Sequence, residues 1–101
     1  HMAEFDTAVR ARLPFVAVVG NDNCWNAEYQ IQLKAYGAER AHGCELLPTR
    51  YDGVVQALGG HGEQVGRGAD LDAALGRAVA CGLPACANVA IERLPAPVLH
   101  A

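Results

Sequence analysis

The segment NDNC at residues 21–24 carries the side chains of this sequence best suited to chemistry. It directly follows residues 15–20 (FVAVVG), an apolar run that predicts a strand buried on both faces. Ligands of open α/β sheets bind beyond the carboxyl ends of the strands. The segment offers the carboxylate and main-chain oxygens that magnesium prefers, together with water and phosphate. A helix predicted over residues 25–36 would point its N-terminus at the same place, which suits a phosphate.

An ordinary turn accounts for the same four residues. Asn and Asp are frequent in turns and at helix starts because their short polar side chains tolerate the required backbone angles. A short motif of this kind is a hypothesis until its structural context is known. The pattern alone therefore leaves a metal and phosphate site and a plain turn both open.

The other reactive side chains allow fewer conclusions. Glu28 would lie on the first turn of a helix, where a solvated negative charge suits the helix dipole. Trp25 could line a pocket or anchor the core where strand and helix meet. None of the four cysteines pairs with another at the two-residue gap of a zinc knuckle or redox motif. An α/β pattern without a disulfide framework predicts reduced thiols and a cytoplasmic location.

Length and composition suit one small folded domain. Of 101 residues, 51% are hydrophobic and 19% are charged, which is not the composition of a disordered segment. The net charge is -3, and the charged residues form no run of either sign in the sequence. Neither nucleic acid nor a membrane surface is therefore an expected partner. No stretch approaches the roughly 20 apolar residues that span a bilayer.

Apolar periodicity predicts an alternating series of helices and strands. The clearest helix follows Asp70, with apolar positions at i, i+3, i+4, i+7 and i+8 over residues 71–79. Thr49 is a predicted N-cap, with Asp52 as its capping-box partner. The predicted helices cover residues 3–12, 25–36, 49–58 and 71–81, and the predicted strands cover residues 15–20, 63–66 and 85–91.

Alternation of this kind indicates an α/β fold with parallel strands and right-handed helical crossovers. We expect a three-layer α/β/α arrangement around a short, mostly parallel sheet. The predicted domain covers residues 3–95. Residues 1–2 are interpreted as a cloning remnant and residues 96–101 as a C-terminal tail.

An ordered set of short motifs runs through the chain. These are EFDTAVR at 4–10, Leu-Pro at 13–14, VAVVGND at 16–22, GGHGE at 59–63, the helix at 70–78, and GLPA followed by NVAI within 82–91. In this order they resemble the thiamine-diphosphate-dependent enzymes, in which a GDG motif precedes E-x-x-T-A-x-R, Leu-Pro, an apolar strand and Asn-Asn. The resemblance extends from about residue 3 to residue 95.

The resemblance implies a site for thiamine diphosphate and Mg²⁺ at residues 21–24. The second residue of the family's Asn-Asn pair binds the magnesium, and this position is Asp22 here. An aspartate also supplies a hard oxygen, but it adds a negative charge that asparagine lacks. The family's main-chain carbonyl ligand falls on Cys24. The remaining expected cofactor-binding residues are Asn21, Asn23 and Trp25.

The resemblance further implies an acetolactate-synthase-like or decarboxylase-like enzyme that acts on carbon–carbon bonds of 2-oxo acids. In the decarboxylase-like branch an acid at the position of Glu28 assists proton transfer. For Glu28 this catalytic role is the alternative to a solvated glutamate on a helix.

Two parts that such an enzyme needs are not among these residues. One is the GDG aspartate, the second side-chain ligand to magnesium, and the other is the glutamate that activates the cofactor, which comes from a separate domain. We therefore expect a piece of a larger enzyme, inactive alone, whose partners are the missing N-terminal domains or a partner subunit. The strand at 15–20 would have an exposed edge, which favours a homo-oligomer. The alternatives are a subunit of a split enzyme and a non-catalytic α/β interaction module.

Overall fold

The computed structural model describes residues 1–97. The chain forms two compact units, the first with residues 1–21 and 50–90 and the second with residues 22–49 and the described residues from Ile91 onward. The helices are α1 (Glu4–Ala11), α2 (Asn26–Tyr36), α3 (Tyr51–Ala57) and α4 (Leu71–Ala80). The strands are β1 (Val16–Asn21), β2 (His61–Val65) and β3 (Ala85–Ala90). None of the helices within residues 1–97 is long and apolar enough to cross a membrane.

The first unit is built on a three-stranded parallel sheet with the strand order β1-β3-β2. The predicted parallel α/β fold and the predicted order of elements are confirmed. β2 begins two residues before the predicted start at 63, because the main chain of His61 already pairs alongside Ala85. The His61 N–H also donates to the Pro84 carbonyl at 2.9 Å.

Helices cover both faces of β3. Its residues from Ala85 to Asn88 are all buried, although neighbouring side chains of a strand point to opposite faces. On one face, Phe5 of α1 and Val55 of α3 pack against Cys86. On the other face, α4 buries Ala74 and Ala78, as its apolar spacing predicts. The first unit therefore has the expected α/β/α layers.

Gly62 lets α3 lie directly on the sheet. A Cβ atom at this position would be 2.4 Å from the main-chain oxygen of Asp52. Real Cβ atoms do not approach a carbonyl oxygen so closely, so any larger residue would push α3 away from β2.

The predicted capping box of α3 is wrong. The helix begins at Tyr51 after Arg50, and no side chain caps it. Asp52 turns inward instead and is only 1% exposed. Its carboxylate accepts hydrogen bonds from both Nε and Nη2 of Arg50. The carboxylate thus bonds the Arg50 guanidinium and the buried Asn88 amide in place of the helix N-terminus.

β1 pairs only with β3 among the described residues, so its other edge carries no strand there. Apolar side chains on and beside β1 are exposed, with Val18 at 57% and Phe15 at 44%. Val79 of α4 was predicted to face the core but is 72% exposed. A cleft of about 250 Å³ lies in this region, lined by Pro14, Phe15, Val16, Ala78, Val79 and Leu83.

The second unit contains α2, a short 3₁₀ turn at Ala38–Arg40, and extended segments. No residue of α2 is fully buried, and Tyr36, on its predicted apolar side, is 65% exposed. Gln32 ties the helix to the following loop, because its amide donates to the His42 carbonyl and its oxygen accepts the His42 N–H. The Asn26 side chain donates to the Leu94 carbonyl at 2.7 Å and so fixes the start of α2 to the segment after β3.

Candidate cofactor and metal site

Asn21, the last residue of β1, is held by a row of polar side chains on one face of the sheet. Its Nδ2 donates to Oδ1 of Asn88 at 3.2 Å. Asn88 in turn donates to Oε1 of Gln64 at 2.9 Å and to Oδ1 of Asp52 at 3.4 Å. Buried amides need such partners to offset the loss of water. The row therefore fixes the orientation of the Asn21 side chain.

Asp52 brings a negative charge to the buried end of this row. Hydrogen bonding from Arg50 is the main reason that the pKa of Asp52 is lowered, and Asn88 acts in the same direction. The Arg50 side chain is 63% exposed, so its charge remains hydrated while it neutralises the carboxylate. The row thus ends in an ion pair with one partner buried and the other in solvent.

The turn that follows β1 belongs to the second unit and has a defined conformation. Oδ1 of Asp22 accepts the main-chain N–H of Cys24 at 3.0 Å, which is an Asx turn. Asn23 has a φ of 54°, a left-handed conformation that asparagine tolerates better than most residues. The Leu46 N–H donates to the Asn23 carbonyl, and the Trp25 N–H donates to the Cys44 carbonyl, each at 2.9 Å.

Arg93 contacts this turn from the segment that follows β3. Its Nη2 donates to the main-chain oxygens of Asp22 and Asn23, each at 3.2 Å, and to Oε2 of Glu45 at 3.0 Å. The hydrogen bond from Arg93 is the main reason that the pKa of Glu45 is lowered. Sequence reasoning missed Arg93 because it lies 71 positions from Asp22 in an apparent extended tail.

The turn fits part of a magnesium site. Asp22 uses Oδ1 for the Cys24 N–H, and within residues 1–97 its Oδ2 makes no hydrogen bond or ion pair. Burial is the largest cause of the raised pKa of the Cys24 thiol, which keeps the sulfur protonated and leaves the main-chain oxygen as the suitable hard donor. In the same described residues, no three His, Cys, Asp or Glu side chains are grouped as metal ligands. The Asp22 carboxylate is the candidate magnesium ligand of this turn.

Trp25 and Glu28 follow the turn. Trp25 is 59% exposed, so the interpretation of this residue as a core anchor is wrong. The interpretation as a pocket wall stays a prediction. Glu28 is exposed on the first turn of α2, as a solvated glutamate would be. Its role in proton transfer also stays a prediction.

Sequence reasoning also missed an ion-pair cluster on β2. Glu63 accepts two hydrogen bonds from Arg77 of α4, at 2.8 and 2.9 Å, and its Oε1 lies 2.9 Å from Nε2 of His61. The Glu63 side chain is 13% exposed, and Arg77 is the main cause that lowers its pKa to about 2. The cluster fastens α4 to the sheet.

A parallel α/β sheet whose first strand leads into an oxygen-rich turn is an arrangement in which α/β domains bind phosphate-bearing ligands. The family described as thiamine pyrophosphate enzyme, C-terminal TPP binding domain, matches residues 1–89, and the chain belongs to this family. Thiamine pyrophosphate and thiamine diphosphate are the same compound. The resemblance seen in the sequence motifs is thereby confirmed.

Curated relatives include acetolactate synthases. The chain is 49% identical over 87 residues to a probable acetolactate synthase of Mycobacterium bovis and, equally, to an acetolactate synthase large subunit of Mycobacterium tuberculosis. These alignments cover 85% of this chain and 16% of either relative. A 2-hydroxyacyl-CoA lyase 2 of Danio rerio is 41% identical over 66 residues, or 65% of this chain and 10% of that protein. The chain thus spans about a sixth of the length of the acetolactate synthases that it matches.

Proposed function

We propose that this chain contributes the diphosphate- and magnesium-binding part of a thiamine-diphosphate-dependent, acetolactate-synthase-like enzyme that acts on carbon–carbon bonds of 2-oxo acids. The observation that carries the proposal is the Asp22 carboxylate, which the Cys24 N–H orients at the turn directly after β1. Membership of the family and the similarity to acetolactate synthases support the same conclusion.

The chain's own residues would bind the magnesium ion and orient the diphosphate of the cofactor. Asp22 would hold magnesium through Oδ2, and the Cys24 carbonyl would supply a second oxygen. N–H groups at the start of α2 would face the diphosphate. Asn21, fixed by Asn88, would support the metal turn. Thiamine diphosphate, when bound, supplies the chemistry that makes and breaks bonds next to a carbonyl.

We also propose that catalysis requires further protein. The second side-chain ligand to magnesium and the activating glutamate would come from other domains of the parent enzyme or from a partner subunit. The strand-free edge of β1 and its exposed Val18 support this, since such an edge can accept a further strand. The 101-residue chain would then show no turnover of pyruvate by itself. The four free cysteines support reduced thiols and a cytoplasmic location.

A second candidate is the cleavage of 2-hydroxyacyl groups, which the 41% identity to a 2-hydroxyacyl-CoA lyase supports. A decarboxylase-like reaction would instead depend on Glu28 for proton transfer. Turnover assays distinguish a synthase from a lyase. The parent enzyme, or the completed complex, would be assayed with pyruvate and separately with a 2-hydroxyacyl-CoA. Glu28→Gln in the same assays should lower turnover only if Glu28 transfers protons.

Calorimetry with thiamine diphosphate and magnesium tests the proposed site. We expect only weak binding by the chain alone, and a further loss of at least about tenfold in Asp22→Ala because a metal ligand is removed. Asp22→Asn should retain most of the affinity, since an amide oxygen can replace the carboxylate. Asp72→Ala, at an exposed aspartate of α4, is the matched control and should bind as the unmodified chain does.

Two results would contradict the proposal. Equal affinity of Asp22→Ala and the unmodified chain would remove Asp22 from the metal site. Turnover of pyruvate by the isolated chain would remove the requirement for further protein. Absence of any cofactor binding, both alone and with a candidate partner, would favour a non-catalytic interaction module.

A further inference from the structure

Arg93 joins the segment after β3 to the turn that holds the candidate magnesium ligands. The guanidinium donates hydrogen bonds to the main-chain oxygens of Asp22 and Asn23 in the turn. The side chain is 30% exposed, so its charge is partly withdrawn from water. Arg93 also lies outside residues 1–89, the part of the chain that matches the family.

Glu45 holds the guanidinium from the other side. It accepts hydrogen bonds from both terminal nitrogens of Arg93. The residues on either side of Glu45 are themselves bonded to the turn, since the Cys44 carbonyl accepts the Trp25 N–H and the Leu46 N–H donates to the Asn23 carbonyl. The turn, the strand-like segment at 44–46 and Arg93 thus form a closed ring of hydrogen bonds.

The geometry of the turn explains why it needs such support. Asn23 is left-handed, with a φ of 54°, and this conformation is unfavourable for an L-residue. The carbonyl oxygens of Asp22 and Asn23 both approach the same Nη2 of Arg93, so their dipoles are drawn to one place. The guanidinium charge stabilises carbonyl oxygens that point towards it, so removing Arg93 would leave the turn without this support. The Asp22 carboxylate is not one of the groups that Arg93 engages by a hydrogen bond.

We propose that Arg93 is a positioning residue for the metal site. It holds the Asp22–Cys24 turn in the conformation that presents the Asp22 carboxylate and the Cys24 carbonyl to magnesium. The functional part of this inference rests on the proposed function, whereas the hold on the turn does not.

Amide hydrogen exchange of the ligand-free chain tests the hold on the turn. In Arg93→Met, we expect the Cys24 and Leu46 amides to exchange about tenfold faster, while the amides of α4 keep their rates. Arg93→Lys should give intermediate rates, since a lysine keeps the charge but lacks the planar guanidinium that bonds both carboxylate oxygens of Glu45 from two nitrogens. Arg67→Met, which removes a surface arginine that bonds Asp70 at 3.0 and 3.2 Å, is the matched control and should change neither amide. Unchanged exchange at both amides in Arg93→Met would overturn the proposal.

Calorimetry with magnesium and thiamine diphosphate then tests the functional part. Arg93→Met should bind about tenfold more weakly than the unmodified chain. Equal affinity of Arg93→Met and the unmodified chain would overturn the role in metal binding. If the unmodified chain binds no cofactor while Arg93→Met loses protection, the proposed function fails for the isolated chain and the hold by Arg93 stands.

Discussion

The side-chain amide of Asn21 donates a hydrogen bond to Oδ1 of Asn88, at 3.2 Å, between the neighbouring parallel strands β1 and β3. Asn88 is 1% exposed and also reaches Gln64 and Asp52. A buried asparagine therefore couples the last residue of β1 to the ion pair at the start of α3. The orientation of Asn21 depends on packing that is distant from the candidate metal turn in sequence.

Removing the buried amide at position 88 should weaken the fold. Asn88→Ala removes a hydrogen-bond donor from the buried Asp52 carboxylate and from the exposed Gln64 side chain. Because the Asp52 carboxylate stays buried with a partner lost, we expect the free energy of unfolding to fall by about 1–3 kcal/mol. Urea unfolding followed by circular dichroism measures this change. Gln56→Ala is the control, because its exposed amide makes a single longer bond of 3.3 Å to the Gly62 carbonyl. Equal destabilisation by the two variants would contradict the importance of the buried row.

The ion pair of Glu63 should make stability depend on pH. Hydrogen bonding from Arg77 lowers the pKa of Glu63 from 4.5 to about 2, so the ionised form stabilises the folded state. This contribution is complete above the unfolded pKa of 4.5 and is lost as the pH falls towards 2. Glu63→Gln should therefore be less stable than the unmodified chain by about 2 kcal/mol at neutral pH. This figure allows for solvent screening of the half-exposed Arg77. The difference between the two proteins should shrink below about pH 5.

Chemical denaturation at several pH values between about 7 and about 3 checks this prediction. Glu39 is an exposed glutamate without an ion pair among residues 1–97, so Glu39→Gln is the control. Its free energy of unfolding should depend on pH in the same way as that of the unmodified chain. A difference between Glu63→Gln and the unmodified chain that is constant with pH would show that Glu63 does not contribute through its charge.

Two glycine-to-alanine changes should act in opposite directions. Gly62→Ala places a Cβ atom 2.4 Å from the Asp52 carbonyl oxygen, so α3 or β2 must move, and we expect a loss of about 3 kcal/mol or more. Gly76 lies within α4, and a methyl group there would meet no atom within 4 Å beyond the backbone of its own helix. Gly76→Ala should therefore stabilise the chain by up to about 1 kcal/mol. Thermal melts of both variants measure the difference, and a stable Gly62→Ala variant would refute the tight contact.

The exposed apolar side chains near β1 should promote self-association. Val79 is 72% exposed and, with Phe15, lines the cleft of about 250 Å³. Val79→Lys should therefore lower the mass of any oligomer without lowering the stability of the fold. Sedimentation velocity measures the mass distribution. Ile31→Lys on α2, where the isoleucine is 66% exposed, is a control for a new surface charge and should not change the mass. A monomeric unmodified chain would contradict the predicted homo-oligomer.

The sequence alone determined the fold class and the position of the candidate turn. Apolar periodicity and turn residues act over short distances in the chain, so they identify β1, α4 and the NDNC segment from neighbouring residues alone. The alternation of these elements was enough to predict a parallel sheet. The ordered motifs identified the family, because each corresponds to one such local element.

Only the tertiary structure decided which polar side chains meet. Local chemistry predicted Asp52 as a helix cap, but the approach of Asn88, 36 positions away, and the ion pair with Arg50 give its carboxylate better partners inside the fold. Arg93 reaches Asp22 across 71 positions, and no short-range pattern carries that information. Such contacts form only after β1, β3 and the segments beyond them are brought together, because a hydrogen bond depends on distance in space and not on distance along the chain.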